Sequence, residues 1–296
     1  FARRVEDSDL SFDVNFRAGF VYEHLDLDLD EPVLQDPRVR RALVYAIDRE
    51  RLTEALFEGR QPPALHFEAP ASPWYTDDPE KIVVYEHSRR MAADLLDEAG
   101  WTLGEDGWRY DQQGNPLRLT LSTTAGNKMR EIVQVYLQDQ WRAIGVDTRI
   151  QNGPARIFFG QTIRRRLFDG AAMYAWIQSP ELSPRTFVHS TQIPSEANGW
   201  SGQNNPGWAS PRVDWLVEAL EAEFDAGKRL DLIHEILWHY TSEVPVIPLY
   251  YRSENSVTPA NLIGYRVTAH QVYATNHVER WNLEPAPAAR IGKAAP

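Results

Sequence analysis

The sequence predicts an α/β fold, and three observations predict it. Residues 12–29 end in strict alternation of apolar and polar side chains, the period of a half-buried strand. Helical stripes with capping residues recur from position 36 onward. Residues 117–150 read strand, helix, strand, a βαβ unit that needs a crossover and a parallel strand pair.

Along the first strand, Tyr22, His24 and Asp26 share one face, and Leu25, Leu27 and Leu29 share the other. In "QDPRVRRALVYAIDRERL", Asp36 is a good N-cap and Pro37 suits the first helical position. Val39, Ala42, Leu43, Ala46 and Ile47 form the apolar stripe, and Arg38, Arg40, Arg41 and Arg49 lie mostly off it. The phase then slips, so Asp48 is expected to cap a second helix closed by Gly59. The Pro-rich residues 60–80 read as an ordered surface loop. "SRRMAADLLDEAGW" is a helix stopped by Gly100, and "GEDGWRYDQQGNP" is a hairpin. The βαβ unit follows, its helix at 127–144 burying Val133, Leu137, Trp141 and Ile144. "DGAAMYAWI" is a further apolar strand. Residues 178–211 form a long irregular segment, of the kind that usually carries function. Two helices at 211–223 and 227–241 and the strand "VPVIPLYY" complete the pattern, and 285–296 is a low-complexity tail.

Composition narrows the function. The 296 residues are 43% hydrophobic and 25% charged, which are globular values. A formal charge of -11 disfavours nucleic acid and anionic lipid, both of which need a basic face. The absence of cysteine excludes disulfides, thiol nucleophiles and Cys-type zinc sites, and is neutral about compartment. No apolar run approaches the ~18 residues of a membrane span. The opening "FARRVEDSDLSF" begins neither with Met nor with an obvious element, and reads as the start of a mature fragment.

Enzyme signatures fall short. His234 and His239 in "HEILWH" are five apart, so on a helix they point roughly 140° away from each other rather than converging on a metal. "GWSGQ" lacks the final Gly and the strand-to-helix turn of a nucleophile elbow. Asp77–Asp78 and Asp26–Asp28 read as solvated carboxylate pairs, and Arg164–Arg166 as a solvated helix face. No Gly-rich phosphate loop opens a helix, so neither cofactor nor metal is expected.

Three segments in order resemble one family. "DPRVRRALVYAIDRERL", "RRMAADLLDEAGW" and "NPGWASPRVDWLVEAL…EVPVIPLYYR" are similar to motifs of extracytoplasmic solute-binding proteins of ABC importers, family 5, the oligopeptide, dipeptide and nickel class. The resemblance spans about residues 20–265. It implies a periplasmic-binding-protein-like (class II) second lobe, a mixed sheet flanked by helices, plus strands of an incomplete first lobe. The implied division is 1–30 as first-lobe remnant and crossing strand, 31–250 as second lobe, and 251–284 as return strands. The arginines at 38, 40 and 41 are then expected to pair with acidic neighbours or face the importer.

The resemblance places the solute against "AMYAWI" and the loop after it. In peptide-binding members a Trp-x-x-Asp sets an aspartate on the ligand amine. Trp176 matches the Trp, the Asp position is Ser179, and Glu181 is the nearest acidic substitute. Tyr174, Trp200, Asn204 and Trp208 complete the candidate wall, although Trp208 equally suits core packing, and Asp214 reads as structural. The implied function is non-enzymatic binding of a peptide or related small polar solute, with permease subunits and the N-terminal lobe as partners, outside the cytoplasm. The alternatives are a ligand-sensing domain of a regulator and a metal-dependent hydrolase built on His234, Glu235 and His239.

Overall fold

The computed structural model describes residues 12–179, 182–267 and 274–284. The expected tail at 285–296 and Glu181 lie outside them. The alternating segment forms β1 (Phe12–Leu27). After one turn at Pro32–Gln35 come α1 (Pro37–Tyr45) and α2 (Arg49–Phe57). Asp36 accepts the Arg38 amide and Asp48 the Arg51 amide, the two caps that the sequence predicts. Two left-handed residues end α2, Glu58 (φ 55°) and the expected Gly59 (φ 67°), whose amide bonds back to the Thr53 carbonyl. Helix α3 (Arg89–Glu98) is capped by Ser88, and the hairpin β2 (Thr102–Leu103) with β3 (Arg109–Tyr110) follows. The βαβ unit is β4 (Arg118–Ser122), α4 (Lys128–Arg142) and β5 (Asp147–Ile150), with β4 and β5 parallel.

A single turn at Ala155–Ile157 runs into a π-helix, Phe158–Ile163, before β6 (Ala171–Ile177). Helices α5 (Pro211–Ala222) and α6 (Ala226–Glu243) lead to β7 (Val246–Pro259). The short pair β8 (Leu262–Ile263) and β9 (Asn282–Leu283) ends the described chain. The main sheet is mixed, in the order β5-β4-β6-β1-β7. β1 runs antiparallel to both β6 and β7, whereas β4 is parallel to β5 and β6.

Both faces of this sheet are covered. Leu25, Leu27, Leu119, Leu121, Met173, Ile247 and Leu249 pack with α1, α3 and α4 on one side. Phe20, Tyr22, Val246 and Tyr251 pack with α5 and α6 on the other. The alternation in β1 predicted a polar face open to water, yet all three of its residues are buried, Tyr22 under the second helical layer and His24 and Asp26 against Tyr174 and Asn205. The loop at 60–80 is part of that layer rather than surface: Ala64, Phe67 and Trp74 are core residues.

The arginines of the α1–α2 region also differ from expectation. Arg38 pairs with Asp36, as expected. Arg40 is buried and donates to the carbonyls of Leu34, Gln35 and Glu243, while Arg41 donates to that of Ser242. Arg49, also buried, donates to the carbonyls of Ala64 and Tyr85. Helix ends and irregular turns leave carbonyls without partners, and a guanidinium can satisfy several at once.

Candidate solute-binding pocket

A pocket of about 330 Å³ opens where β6, the π-helix and the loop at 200–205 meet. β6 supplies Tyr174, Ala175 and Trp176, the π-helix region supplies Phe159, Ile163 and Arg164, and the loop supplies Trp200, Gly202, Gln203 and Asn205. The Phe159 and Tyr174 rings meet edge to face at 5.9 Å, and Trp176 lies 6.0 Å from Phe187, tilted. Arg165 sits 5.8 Å from the Trp200 ring.

Beneath this wall lies a buried polar cluster. The Tyr174 hydroxyl donates to Asp26 and accepts from Asn205 Nδ2 at 2.8 Å. His24 stacks on Tyr22 at 4.8 Å, meets Tyr174 edge-on at 4.5 Å, and holds Nε2 3.3 Å from Asp26. Burial pushes the Tyr174 phenol well above its usual range, and the neighbouring Asp26 reinforces the shift, so the hydroxyl stays protonated. Asp26 is therefore spent on internal partners. On the opposite face of the sheet Glu23 is equally committed, held by Arg130 (3.1 Å) and by Arg252. Among the described residues no carboxylate lines the pocket.

The main chain contributes as well. β4 pairs with β6 only at Ala171 and Ala172. Beyond that point the Met173 carbonyl accepts from the Thr123 hydroxyl (2.7 Å), and no described strand lies beside Ala175 and Ile177 on that side. The Gln178 amide bonds to Phe20 on β1, and groups alternate in direction along a strand. The polar main-chain groups of Ala175 and Ile177 therefore face the side that β4 has left, and Ala175 lines the pocket.

Of the residues that the sequence singled out, Tyr174, Trp176 and Trp200 come together here. Ser179 lies at the exit of β6, half-buried and outside the lining, its carbonyl accepting from the Leu182 amide. Asn204 and Trp208 do not reach the pocket. Asn204 is fully buried, donates to the His189 and Trp208 carbonyls and accepts the Trp208 amide. Trp208 packs 6.1 Å from Tyr240 and donates its indole N–H to Glu243. The next residue after Asn204, Asn205, holds the place expected of it. Asp214 is structural as read, accepting the Ser190 amide and hydroxyl.

Sequence reasoning missed Phe159 and Arg164, because a π-helix carries side chains around at a period that a 3.6-residue pattern does not reveal. The Arg164–Arg166 run was the available signal. It divides three ways: Arg164 lines the pocket, Arg165 faces Trp200, and Arg166 pairs with Asp28 and Asp30. His234 lies 3.2 Å from Lys81 Nζ and His239 faces Glu243, so the pair does not converge, and the described residues hold no cluster suited to a metal.

The chain is 26% identical over 262 residues to the oligopeptide-binding protein AppA of Bacillus subtilis, covering 88% of this chain and 47% of that protein. It is 27% identical over 225 residues to the nickel-binding periplasmic protein of Escherichia coli, covering 76% and 41%. The crystal structure of an oligopeptide binding protein from Thermus thermophilus complexed with a pentapeptide matches with a TM-score of 0.77 at 28% identity, over 88% of this chain and 46% of that one. The chain thus spans about half the length of the curated relatives it matches. These relatives are binding proteins, and no helix among the described residues is long and apolar enough to cross a membrane. A family model described as bacterial extracellular solute-binding proteins, family 5 Middle, matches residues 4–198, and the chain belongs to this family.

Proposed function

We propose that this chain forms one wall of the binding cleft of an ABC-importer solute-binding protein, and that an extended peptide or peptide-like solute lies along β6. The observation that carries this reading is the free side of β6 beside an aromatic pocket. Main-chain groups at Ala175 and Ile177 can add a ligand strand, and Trp176 and Trp200 supply adaptable apolar area. Arg164 and the lack of a lining carboxylate favour an anionic ligand group at this wall over a free ammonium. Ser179, in place of an aspartate, supports the same preference.

In this reading residues 31–250 are the second lobe, 1–30 and 251–284 pass to a first lobe, and that lobe supplies the opposing wall. Closure of the two lobes presents the loaded form to permease subunits outside the cytoplasm. Calorimetric titration with both lobes present tests it, using tetra-alanine, its N-acetyl form and its C-terminal amide. Acetylation is expected to change Kd by less than about threefold, and amidation to weaken it by about tenfold or more. Trp176→Ala is expected to weaken every ligand. Silence of all three peptides at millimolar concentration rejects peptide binding. Loss on acetylation with tolerance of amidation reverses the assignment of charge.

A further inference from the structure

A second concavity, of about 570 Å³, lies between α1, α3 and α6 and shares no lining residue with the pocket on β6. It sits where α6 turns into β7, at the end of the sheet where the Leu27 amide bonds to the Pro245 carbonyl. Its size falls within the range of small-molecule sites. Two large apolar side chains that are open to solvent, Met91 (44% exposed) and Trp238 (46%), are gathered on its rim. Grouped around a hollow, such residues mark a contact site, whereas single exposed ones do not. Tyr85, nearly buried, also lines the hollow, and its hydroxyl is already spent on the Thr241 carbonyl (2.8 Å).

The charges are unequal in what they have left to offer. Glu243 accepts the Trp208 indole N–H at 2.7 Å and lies 3.2 Å from His239 Nδ1. Arg41 donates through Nε to the Ser242 carbonyl at 2.8 Å, and among the described residues it makes no ion pair. Its terminal amino groups form a fork of donors of the shape that binds carboxylate.

We propose that this hollow is a second ligand site, for a small organic carboxylate with an aromatic body. The carboxylate meets the Arg41 fork, and the body rests on Tyr85 between Met91 and Trp238. This goes beyond the cleft reading and requires no second lobe, because every lining residue belongs to this chain.

The test is calorimetric titration of the chain with 3-phenylpropionate and with 3-phenylpropylamine, which differ in the sign of their charge. The carboxylate is expected to bind with a Kd of about 1 mM or tighter, and the amine about tenfold more weakly or not at all. Met91→Glu brings a like charge to the rim and is expected to weaken the carboxylate by about tenfold. Folding is protected in that variant, because residue 91 is exposed in the first turn of α3, where Ser88 already accepts its amide and an acidic side chain meets the positive end of the helix. Trp238→Ala is expected to weaken both probes, and Arg164→Gln neither. Equal binding of the two probes, indifference to Met91→Glu and Trp238→Ala, loss in Arg164→Gln, or no heat at about 10 mM each overturns the proposal.

Discussion

Glu68 is a carboxyl group sealed from water, held by the Ser72 hydroxyl at 2.6 Å and the Gln178 amide at 3.3 Å. Burial pushes its pKa from 4.5 up to about 7, with those two hydrogen bonds opposing the rise. The folded chain therefore holds this proton more tightly than the unfolded chain does. Its stabilising contribution is fully present below about pH 4.5 and is lost as the pH rises through about 7. Glu68→Gln keeps the shape and removes the titration. Relative to wild type it is expected to gain on the order of 1–3 kcal/mol in urea unfolding at pH 8, and nothing at pH 4.5. A gain that is the same at both pH values would rule out this account. Gln178 follows directly on β6, so this carboxyl also anchors the exit of the pocket strand. Arg49 shows the other kind of buried charge, a cation matched to carbonyls. Arg49→Met strands the carbonyls of Ala64 and Tyr85, so a loss of about 3 kcal/mol is expected. Arg38→Ala, at an exposed pair that solvent screens, is expected to cost far less. Chemical denaturation of the two variants side by side measures the contrast, and equal losses would contradict it.

The pocket loop shows how an element can hold strain. Trp200 adopts φ 60°, a left-handed conformation that costs a bulky L-residue on the order of 1–2 kcal/mol. Gly202 follows at φ 93°, where an added Cβ would fall 2.1 Å from the Gln192 carbonyl oxygen. Trp200→Gly is therefore expected to leave the melting temperature unchanged or raised while weakening solute binding about tenfold or more. Gly202→Ala is expected to cost more than about 2 kcal/mol. A Trp200→Gly variant that melts lower and binds normally would show the ring to be packing rather than wall. These constraints also explain what the sequence made legible. Asp36, Asp48, Ser88 and Asn127 cap helices through local spacing, so the starts of α1 to α4 could be read directly. In the loop no period relates neighbours, and nothing local distinguished Asn204, which ties the backbone together, from Asn205, which reaches the pocket. The burial of Tyr22, His24 and Asp26 was hidden for a different reason: their cover comes from far along the chain, from α5, α6 and the loop at 64–82 over Tyr22, and from Tyr174 and Asn205 against His24 and Asp26.

On the scale of the whole molecule, the sheet is the shared wall of two cores, and β1 belongs to both. Leu25 and Leu27 enter one core and Phe20 and Tyr22 the other, so neither core can be lost without exposing the other side of the same strand. The inner part of β1 lies between β6 and β7, with both edges paired. Its outer part, residues 12–18, pairs only with residues 253–259 of β7, and no third strand among the described residues joins this ribbon. The register shifts between Ala18 and Tyr22, where ribbon becomes sheet. Hydrogen exchange should therefore divide a single strand. Amides of residues 21–27 are expected to open only with global unfolding, and those of 12–18 to exchange at least about a thousandfold faster. The ribbon is also the segment assigned to the passage between lobes. With both lobes present, its amides should gain protection while those of residues 21–27 change little. A ribbon already as protected as the central sheet in this chain alone would argue against that assignment. A ribbon that stays fast after the other lobe is supplied would argue against it too, because a connection clamped between two lobes cannot open independently of both.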